Sequence, residues 1–548
     1  MGIPSYFSYI IKNHPNILRT MSHHRNTRFN ALYMDCNSII YDAVRTLEET
    51  DAKSLVSVDA FENKLIEQVI SKIKYYIQLI HPTHVAYISF DGVAPLAKMD
   101  QQKERRHRSA YLASVLSHAH ANKSFNTTAI TPGTNFMTKL SGRVNAQFRT
   151  TTIGAELGVK TVVVSASDEP GEGEHKMFDY LRNNSCREDN VAVYGLDADL
   201  IMLSMFHCSY CFNIHIFREA PEFSTHILPA GLKSRTKTDL LFIDTFKFTR
   251  ALLGEMGVTN MNNPPRAYTP QQLRMRIHDY VFMCFMLGND FMPHFLALNI
   301  RTAGIGRLMD TYNTVIAAKG LSFVKINKNT NQRPPELCLQ NCQIQWKSVY
   351  LFVAALAKNE HAFIKEEMEQ RAKMAKGVAQ STAANPLKTP QDKEAAIMNI
   401  PMLFRQDEEY INPHMANWQA RYYSVAFNSN NEVDVHAVCK NYCEGLEWTF
   451  KYYTEGCPHW QWKYEYSYPP LLEDLAVYLS NLEDDHTYFN SEDAAVKPCS
   501  PVEQLLYVLP KSHHYLLPEG TKVDNVGHEE YNFSWIGCRY FWEAHLVS

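Results

Sequence analysis

Seven acidic residues that follow predicted strands or lie at predicted helix ends most constrain what this 548-residue chain can fold into. They are Asp35, Asp91, Glu172, Glu174, Asp197, Asp199 and Asp290. The carboxyl ends of parallel strands share one edge of an α/β sheet, and ligands bind at that edge, so we expect these side chains to converge there. Converging carboxylates repel one another unless cations lie between them, and oxygen-only ligands suit hard divalent ions such as Mg²⁺.

Four of the acidic residues form two pairs with a spacing of two, Glu172 with Glu174 and Asp197 with Asp199. In a turn or an extended segment, residues i and i+2 can point to one side, so each pair can present two carboxylates to one site. Two metal ions about 4 Å apart can activate a water molecule and stabilise the leaving oxygen of a phosphodiester. The pattern therefore favours metal-dependent phosphodiester hydrolysis.

Two other interpretations of these residues stay open at this point. An acidic residue after a strand is often a helix N-cap, and this reading applies to any single one of the seven. Phosphatases of the haloacid type also use aspartates at strand ends. They need an Asp-x-Asp pair after the first strand, and Asp35-Cys36-Asn37 does not supply one.

The first part of the chain has the pattern of an α/β region. Residues 58–80 carry a helical stripe of apolar side chains that joins the strand ending at Asp35 to the strand ending at Asp91. A strand–helix–strand unit implies parallel strands. Further strands are predicted at 159–164 and 191–194, with a helix from about Gly173 between them. We expect an α/β region over residues 1–357.

The composition changes in the second part of the chain. Residues 358–404 are rich in Ala, Lys, Glu and Gln and contain Pro386 and Pro390, which predicts a linker or an exposed helix with a loose end. Residues 405–548 form a second region that we expect to pack on the first. Six of the seven tryptophans lie in it: Trp418, Trp448, Trp460, Trp462, Trp535 and Trp542.

A basic segment follows Asp91 and fits one face of a helix. Its members at positions i, i+4, i+7 and i+8 are Lys98, Gln102, Arg105 and Arg106. Arginine binds phosphate through two hydrogen bonds and lysine adds a point charge, so a terminal phosphate on this face would lie about one nucleotide from the metals. The alternative is a solvated, salt-bridged helix, since Asp100 and Glu104 are interleaved.

Bulk properties exclude some classes of protein. The net charge of −4 gives no global signature of nucleic-acid binding, so a nucleic-acid site must be a local basic patch. We expect no membrane-spanning helix and no signal peptide. The 12 cysteines are scattered, which favours reduced thiols and a cytoplasmic location, with the nucleus as the alternative. Cys208 and Cys211 lack a second pair at zinc-finger spacing, so a zinc site is not favoured.

Motifs along almost the whole chain resemble the 5′→3′ exoribonucleases of the XRN family. In the first part they are Met1-Gly-Ile-Pro-Ser-Tyr-Phe7, Tyr33-Met-Asp-Cys-Asn-Ser-Ile-Ile40, Phe90-Asp-Gly-Val-Ala-Pro-Leu-Ala-Lys-Met-Asp-Gln-Gln-Lys-Glu-Arg-Arg-His-Arg108, Thr131-Pro-Gly-Thr134, Glu172-Gly-Glu-His175, Gly195-Leu-Asp-Ala-Asp199 and Leu287-Gly-Asn-Asp-Phe-Met-Pro293. In the second part they are Trp418-Gln-Ala-Arg-Tyr-Tyr423, Glu444-Gly-Leu-Glu-Trp448, Tyr452-Tyr453, His459-Trp-Gln-Trp462 and Ser500-Pro-Val-Glu-Gln-Leu-Leu-Tyr-Val-Leu-Pro510.

The resemblance implies a PIN/flap-nuclease-like α/β core, with a mostly parallel sheet, helices on both faces and a helical, aromatic-rich second region that braces the active site. It implies a monomer that uses Mg²⁺, replaceable by Mn²⁺ and present as two ions, to degrade single-stranded RNA with a 5′-monophosphate processively to nucleoside 5′-monophosphates. The seven carboxylates match the family's catalytic metal ligands. The family's 5′-phosphate pocket maps onto Lys98, Gln102, Arg105 and Arg106.

The chain departs from the family pattern at three points. Tyr41 stands where the family has a histidine that stacks on a base, and an aromatic ring can still do so. The stacking tryptophan of the second region corresponds to Trp460 or Trp462. Leu96 replaces a common arginine, and the chain ends near 548, which implies a diverged, core-only member.

Two alternative functions share this acidic core. A flap-type DNA nuclease has the carboxylates, but it lacks the Gln-Gln-Lys-Glu-Arg-Arg helix and the 405–548 region. An inactive RNA-binding scaffold is the non-enzymatic alternative, and the seven carboxylates argue against it.

Overall fold

The structure is a computed structural model. The ranges that it describes are 3, 5–24, 26–50, 57–115, 125–184, 189–195, 197–219, 228, 240–257, 269–326, 342–384, 389–403, 405–427, 433–490 and 492–523. Trp535 and Trp542 lie outside these ranges. None of the helices within them has an apolar stretch sufficient for a membrane crossing.

A seven-stranded sheet is the centre of the fold. The strands of the described ranges are β1 (Leu18–Thr20), β2 (Ala31–Asp35), β3 (Val85–Ser89), β4 (Thr161–Ser165), β5 (Asn190–Tyr194), β6 (Asn213–Glu219), β7 (Leu240–Asp244), β8 (Val324–Ile326) and β9 (Cys342–Ile344). The large sheet has the order β1-β7-β6-β5-β2-β3-β4, and β8 pairs with β9 separately. Strands β6, β5, β2, β3 and β4 run parallel, whereas β7 is antiparallel to both of its neighbours. The predicted mostly parallel sheet is confirmed.

α-Helices surround the sheet. They are α1 (Tyr6–Asn13), α2 (Asn37–Thr50), α3 (Val58–Ile80), α4 (Leu96–Val115), α5 (Asn135–Phe148), α6 (Ile153–Leu157), α7 (Gly173–Asn184), α8 (Ala198–His207), α9 (Thr245–Glu255), α10 (Pro270–Cys284), α11 (Gly304–Thr311), α12 (Trp346–Ala384), α13 (Pro390–Met398), α14 (Ile400–Leu403), α15 (Gln406–Ile411), α16 (Trp418–Ala426), α17 (Val435–Thr454), α18 (Leu472–Ser480) and α19 (Pro501–Val508).

The period-two alternation of strand residues divides the apolar side chains between two cores. In β2, Leu32 and Met34 belong to the core that also contains α2, α3 and α5, whereas Tyr33 belongs to the core on the opposite face with α7 and α8. Helices α2 and α3 connect the parallel strands β2 and β3, as the βαβ prediction required. Helices therefore cover both faces of the sheet, as predicted.

The second region shares a core with the first. The larger core cluster contains residues of β2 and α8 together with residues of α10, α12 and α17. Because these side chains form one continuous apolar cluster, the second region is held against the sheet by burial of apolar surface rather than by a tether.

Residues 358–404 were predicted to be a linker or an exposed helix with a loose end, and the structure makes the first half helical, because α12 continues unbroken to Ala384. The buried side of this helix continues at spacings of three and four through Val353, Leu356, Glu360, Ile364, Glu367 and Arg371. The last part of this stripe includes charged residues, so hydrophobic periodicity did not reveal it. Two of these charges are paired with opposite charges: Glu367 with Arg307 at 2.9 Å, and Arg371 with Glu408 at 2.8 Å.

Glu408→Ala should destabilise the fold by about 3 kcal/mol, because Arg371 and Arg405 would keep their buried charges without the carboxylate that they share. The matched control is Glu409→Ala, an exposed neighbour on the same helix, for which we expect a change within roughly 0.5 kcal/mol. Urea and thermal unfolding curves measure both. Equal midpoints for the two variants would show that the buried ion pairs do not hold α12 against α15.

Candidate active site

Two of the seven carboxylates meet at the carboxyl ends of β2 and β3. Asp35 is the last residue of β2, and Asp91 follows β3 by two residues. Asn37, the first residue of α2, connects them: its backbone N–H donates to Asp35 Oδ1 at 3.3 Å, and its side-chain amide donates to Asp91 Oδ2. Asn37 Oδ1 in turn accepts the backbone N–H of Asp91 at 3.2 Å. The strand ends and the first turn of α2 therefore fix these two side chains relative to each other.

Helix α7 approaches the same point through a residue without a side chain. The Gly173 N–H donates to Asp91 Oδ1 at 2.7 Å. A Cβ on Gly173 would lie 3.1 Å from Asp35 Oδ1 and 3.4 Å from Asp91 Oδ1, closer than most side chains pack. Glycine thus allows the start of α7 to reach the strand ends, and this brings Glu172 and Glu174 to the same edge.

Lys98 lies among the carboxylates. Its Nζ is 2.6 Å from Glu172 Oε2 and 2.6 Å from Asp290 Oδ2, and its side chain is almost fully buried. Gln101 donates to the other oxygen of Asp290 at 3.2 Å. Lys98, which was predicted to belong to the 5′-phosphate pocket, is therefore also a positive charge paired with two acids of the cluster. Two of its three ammonium hydrogens are directed at carboxylates.

Two consecutive tyrosines of α17 close the site from the second region. The Tyr452 hydroxyl donates to Glu172 Oε1 at 3.0 Å, and the Tyr453 hydroxyl donates to Asp199 Oδ1. The ring of Tyr452 stacks on His175, with 3.6 Å between the ring centroids. Residues of α17 therefore set the positions of carboxylates that belong to α7 and α8.

Asp197 and Asp199 differ in their surroundings. Asp199 is buried, whereas Asp197 is exposed and occupies the N-cap position of α8 without a capping hydrogen bond from its side chain. The capping interpretation therefore does not account for Asp197. Its charge instead lies close enough to Asp35 to contribute to the raised pKa of that residue.

The mutual repulsion of these groups is visible in their pKa values. Burial, and then the charges of Asp91 and Asp197, raise the pKa of Asp35 to about 8. The pKa of Glu174 is raised by burial and by Asp199 and Glu172. Burial opposes the ionisation of Asp290 as well, but positively charged groups, of which Lys98 contributes most, together lower the pKa of Asp290. All seven predicted carboxylates thus lie at one edge, and Lys98 pairs with two of them, Glu172 and Asp290.

The chemistry of this donor set fits hard divalent cations. Within the described ranges, no three histidine, cysteine, aspartate or glutamate side chains have the arrangement of a preformed metal site. The donors are nevertheless carboxylate oxygens, they are mostly buried, and several have raised pKa values, so a cation between them would relieve an unfavourable interaction.

The basic face of α4 continues away from the carboxylates. Gln102 is nearly buried, Arg106 is half-buried and Arg105 is exposed. Arg106 Nε donates to Thr131 Oγ1 at 2.9 Å, and its Nη1 donates to the backbone carbonyl of Gln102 at 3.0 Å. Burial lowers the pKa of Arg106 to about 10, so the guanidinium stays charged at neutral pH. Tyr41 lies near Arg106 and is 38% exposed.

The two candidate tryptophans lie in different environments. Trp462 is in the core, where its ring stacks on Trp448 with 5.4 Å between centroids and its Nε1 donates to Glu444 at 3.4 Å. Trp460 is half-buried, its backbone carbonyl accepts from Leu96 N–H at 2.9 Å, and its ring edge approaches Gly171. Trp460 is thus the one that adjoins both α4 and the segment that leads into α7.

Asn37, Tyr452 and Tyr453 contact the carboxylates but were not assigned a role from the sequence. Asn37 had a local signal, since it is a polar residue in the first helical turn after Asp35. No local sequence feature beyond their motif linked Tyr452 and Tyr453 to the site, because they lie 280 and 254 residues from the carboxylates that they contact.

The fold and the site define a PIN-like α/β protein with a helical second domain and an acidic strand edge. Two family models match the chain: the XRN 5'-3' exonuclease N-terminus over residues 1–220, and the Xrn1 helical domain over residues 271–415 and 404–522. The chain belongs to the XRN family.

Curated relatives are similar over nearly the whole chain. The 5'-3' exoribonuclease 2 homolog of Drosophila melanogaster is 26% identical over 95% of this chain and 65% of its own length. The 5'-3' exoribonuclease 1 of Homo sapiens is 27% identical over 94% of this chain and 31% of its own length. The 5'-3' exoribonuclease 1 of Saccharomyces cerevisiae is 25% identical over 94% of this chain and 40% of its own length. The chain thus spans between about a third and two thirds of these relatives.

Tyr453→Phe should weaken divalent-cation binding by roughly 10-fold to 100-fold, because Asp199 would lose the hydroxyl that orients it. Isothermal titration with Mn²⁺ measures this. The matched control is Tyr442→Phe, which removes a buried hydroxyl of the same helix that bonds the Pro293 carbonyl at 3.0 Å. If both variants bind Mn²⁺ like the wild type, the tyrosine does not position a metal ligand.

Proposed function

We propose that the protein is a Mg²⁺-dependent 5′→3′ exoribonuclease that removes nucleoside 5′-monophosphates processively from RNA with a 5′-monophosphate. The observation that carries this proposal is the position of α4. Its first turn contributes Lys98 to the acidic cluster, and its third turn presents Arg105 and Arg106. A phosphate-binding face and an acidic edge are thereby combined on one rigid helix. The names of the curated relatives support the 5′→3′ exoribonuclease part of this proposal.

The chain's own residues account for the chemical step as follows. The carboxylates of the seven acidic residues would hold the cations, which supply an activated water and neutralise charge on the phosphodiester when they are bound. Asn37, Tyr452 and Tyr453 orient four of the carboxylates through hydrogen bonds. Lys98 pairs with both Glu172 and Asp290, which offsets part of the cost of holding these two acids side by side in a buried site.

The spacing along α4 supports cleavage from the 5′ end. Lys98 and Arg106 are eight residues apart, or roughly 12 Å along the helix axis. A 5′-phosphate bound near Arg106 would therefore leave room for one nucleotide before the acidic edge. Cleavage of the next 3′-oxygen–phosphorus bond releases a nucleoside 5′-monophosphate and leaves a new 5′-monophosphate on the RNA. The product has the same end group as the substrate, which suits repeated turnover on one strand.

Two aromatic rings suit a stacked single strand beside this path. Tyr41 is partly exposed near Arg106, and Trp460 is half-buried beside the start of α4. Stacking of a base on an aromatic ring is worth about 1–3 kcal/mol and does not depend strongly on sequence. We propose that these two rings, rather than Trp462, contact the bases.

Asp197→Ala combined with Asp199→Ala should abolish hydrolysis while RNA binding persists, because metal ligands act on the chemical step. The assay uses end-labelled RNA with a 5′-monophosphate, with and without Mg²⁺, and a separate filter-binding measurement. Asp407→Ala combined with Glu409→Ala, exposed acids with the same spacing on α15, is the control. Undiminished hydrolysis in the first variant would refute the metal site. Binding without hydrolysis by the wild type in Mg²⁺ would instead identify an inactive scaffold.

Arg105→Ala and Arg106→Ala should each lower the preference for 5′-monophosphate over 5′-hydroxyl RNA by about tenfold, since a hydrogen bond to a charged group contributes about 1.5–3 kcal/mol. Initial rates on the two RNAs give the preference. Arg143→Ala, an exposed arginine of α5, should leave it unchanged. A wild-type ratio in both variants would place the phosphate pocket elsewhere.

A further inference from the structure

Helix α19, near the end of the described chain, is fixed against the basic helix α4. A small apolar cluster joins the two, with Val93 and Met99 on one side and Leu505 and Val508 on the other. Gly133 has a φ of +93°, and a Cβ there would lie 2.8 Å from the Pro501 ring, so only glycine permits this close approach. Helix α19 is therefore held by the apolar cluster with α4 and by the close contact with the turn before α5.

Gln504 of α19 lies inside this contact and is fully buried. Its Oε1 accepts the backbone N–H of Ala94 at 2.9 Å, and its Nε2 donates to Gln102 Oε1 at 3.4 Å. A backbone N–H can only donate, so the atom of Gln504 that faces Ala94 is its oxygen. The atom that faces Gln102 is then the amino group, which can only donate.

The orientation of Gln504 determines the orientation of the Gln102 amide. Because the Gln102 carbonyl oxygen must face the amino group of Gln504, the Gln102 Nε2 points away from Gln504. No residue in the described ranges accepts a hydrogen bond from that Nε2, and Gln102 keeps a small exposed area of 8%. Gln102 therefore offers a donor, and not an acceptor, from the face of α4 that also carries Arg106.

We propose that Gln504 is a specificity-determining positioning residue, which orients the Gln102 amide so that this side chain donates a hydrogen bond to a 5′-phosphate. This inference rests on the proposed function. A phosphate oxygen is an acceptor only, so it gains from an N–H at this place and is repelled by a carbonyl. A 5′-hydroxyl can both donate and accept, so it discriminates little between the two orientations of the amide.

Gln504→Glu tests the proposal by reversing the orientation of the Gln102 side-chain amide. One oxygen of the introduced carboxylate can still accept from Ala94. In the ionised form the other oxygen can no longer donate, so the Gln102 amide must turn and present its carbonyl to the phosphate. We expect the preference for 5′-monophosphate over 5′-hydroxyl RNA to fall by about tenfold or more. The rate on 5′-hydroxyl RNA should change little, and this separates the effect from a general loss of structure. Gln147→Glu, the same change on α5, is the control.

A double-mutant cycle separates the orientation effect from simple repulsion by the new charge. In a Gln102→Leu background there is no amide to turn, so Gln504→Glu should cause no further loss of preference. An equal additional loss in that background would mean that the carboxylate introduced at position 504 acts on the phosphate directly, and it would overturn the proposal.

Gln504→Met tests the same role of Gln504 if the glutamate variant does not fold. It removes the donor to Gln102 without adding a charge, and the preference should fall by roughly twofold to tenfold. A wild-type preference in the folded methionine variant would refute the positioning role. The wild-type protein serves to separate a failure of the proposed function from a failure of this inference. If the wild type shows no preference for a 5′-monophosphate, the proposed function is contradicted. If the wild type shows the preference but substitutions of Gln504 do not change it, only this inference is contradicted.

Discussion

The arrangement of the site depends on how a group of buried carboxylates is kept together. Burial, and then like charges at close range, raise the pKa of Asp35 and of Glu174. Lys98 offsets part of this cost by pairing with Glu172 and Asp290. Hydrogen bonds from Asn37, Tyr452 and Tyr453 fix further carboxylate oxygens. The edge of the sheet is thus held with its carboxylates close together, and a cation between them would stabilise this arrangement.

The second region belongs to this site as much as the sheet does. Helix α17 supplies the tyrosine hydroxyls that meet Glu172 and Asp199, and α19 supplies the glutamine that orients Gln102. These polar contacts are precise because the helices that carry them are locked by apolar burial, in the large shared core for α17 and in the small cluster with α4 for α19. A stabilising interface and an orienting hydrogen bond therefore occur together at both places.

The relationship between α12 and the rest of the protein shows how composition can mislead. Segments rich in Ala, Lys and Glu are typical of exposed helices, and the interpretation of 358–404 as a linker or exposed helix followed from that composition. The structure instead places Glu360, Glu367 and Arg371 on the buried side of α12. Glu360 accepts the backbone N–H of Leu472 at 2.7 Å at the start of α18, and the other two pair with charged partners. Buried charge becomes recognisable only when its partner is known.

The sequence by itself determined the parallel sheet, the helices on its two faces, the acidic edge and the family, because these depend on local periodicity, on residues at strand ends and on motifs read in order. Tertiary structure alone decided that Lys98 lies among the carboxylates, that Trp460 rather than Trp462 adjoins α4, and that Tyr452, Tyr453 and Gln504 orient the site. These contacts join residues up to 410 positions apart. Their geometry follows from the packing of whole helices, and no local pattern encodes which side chains that packing brings together.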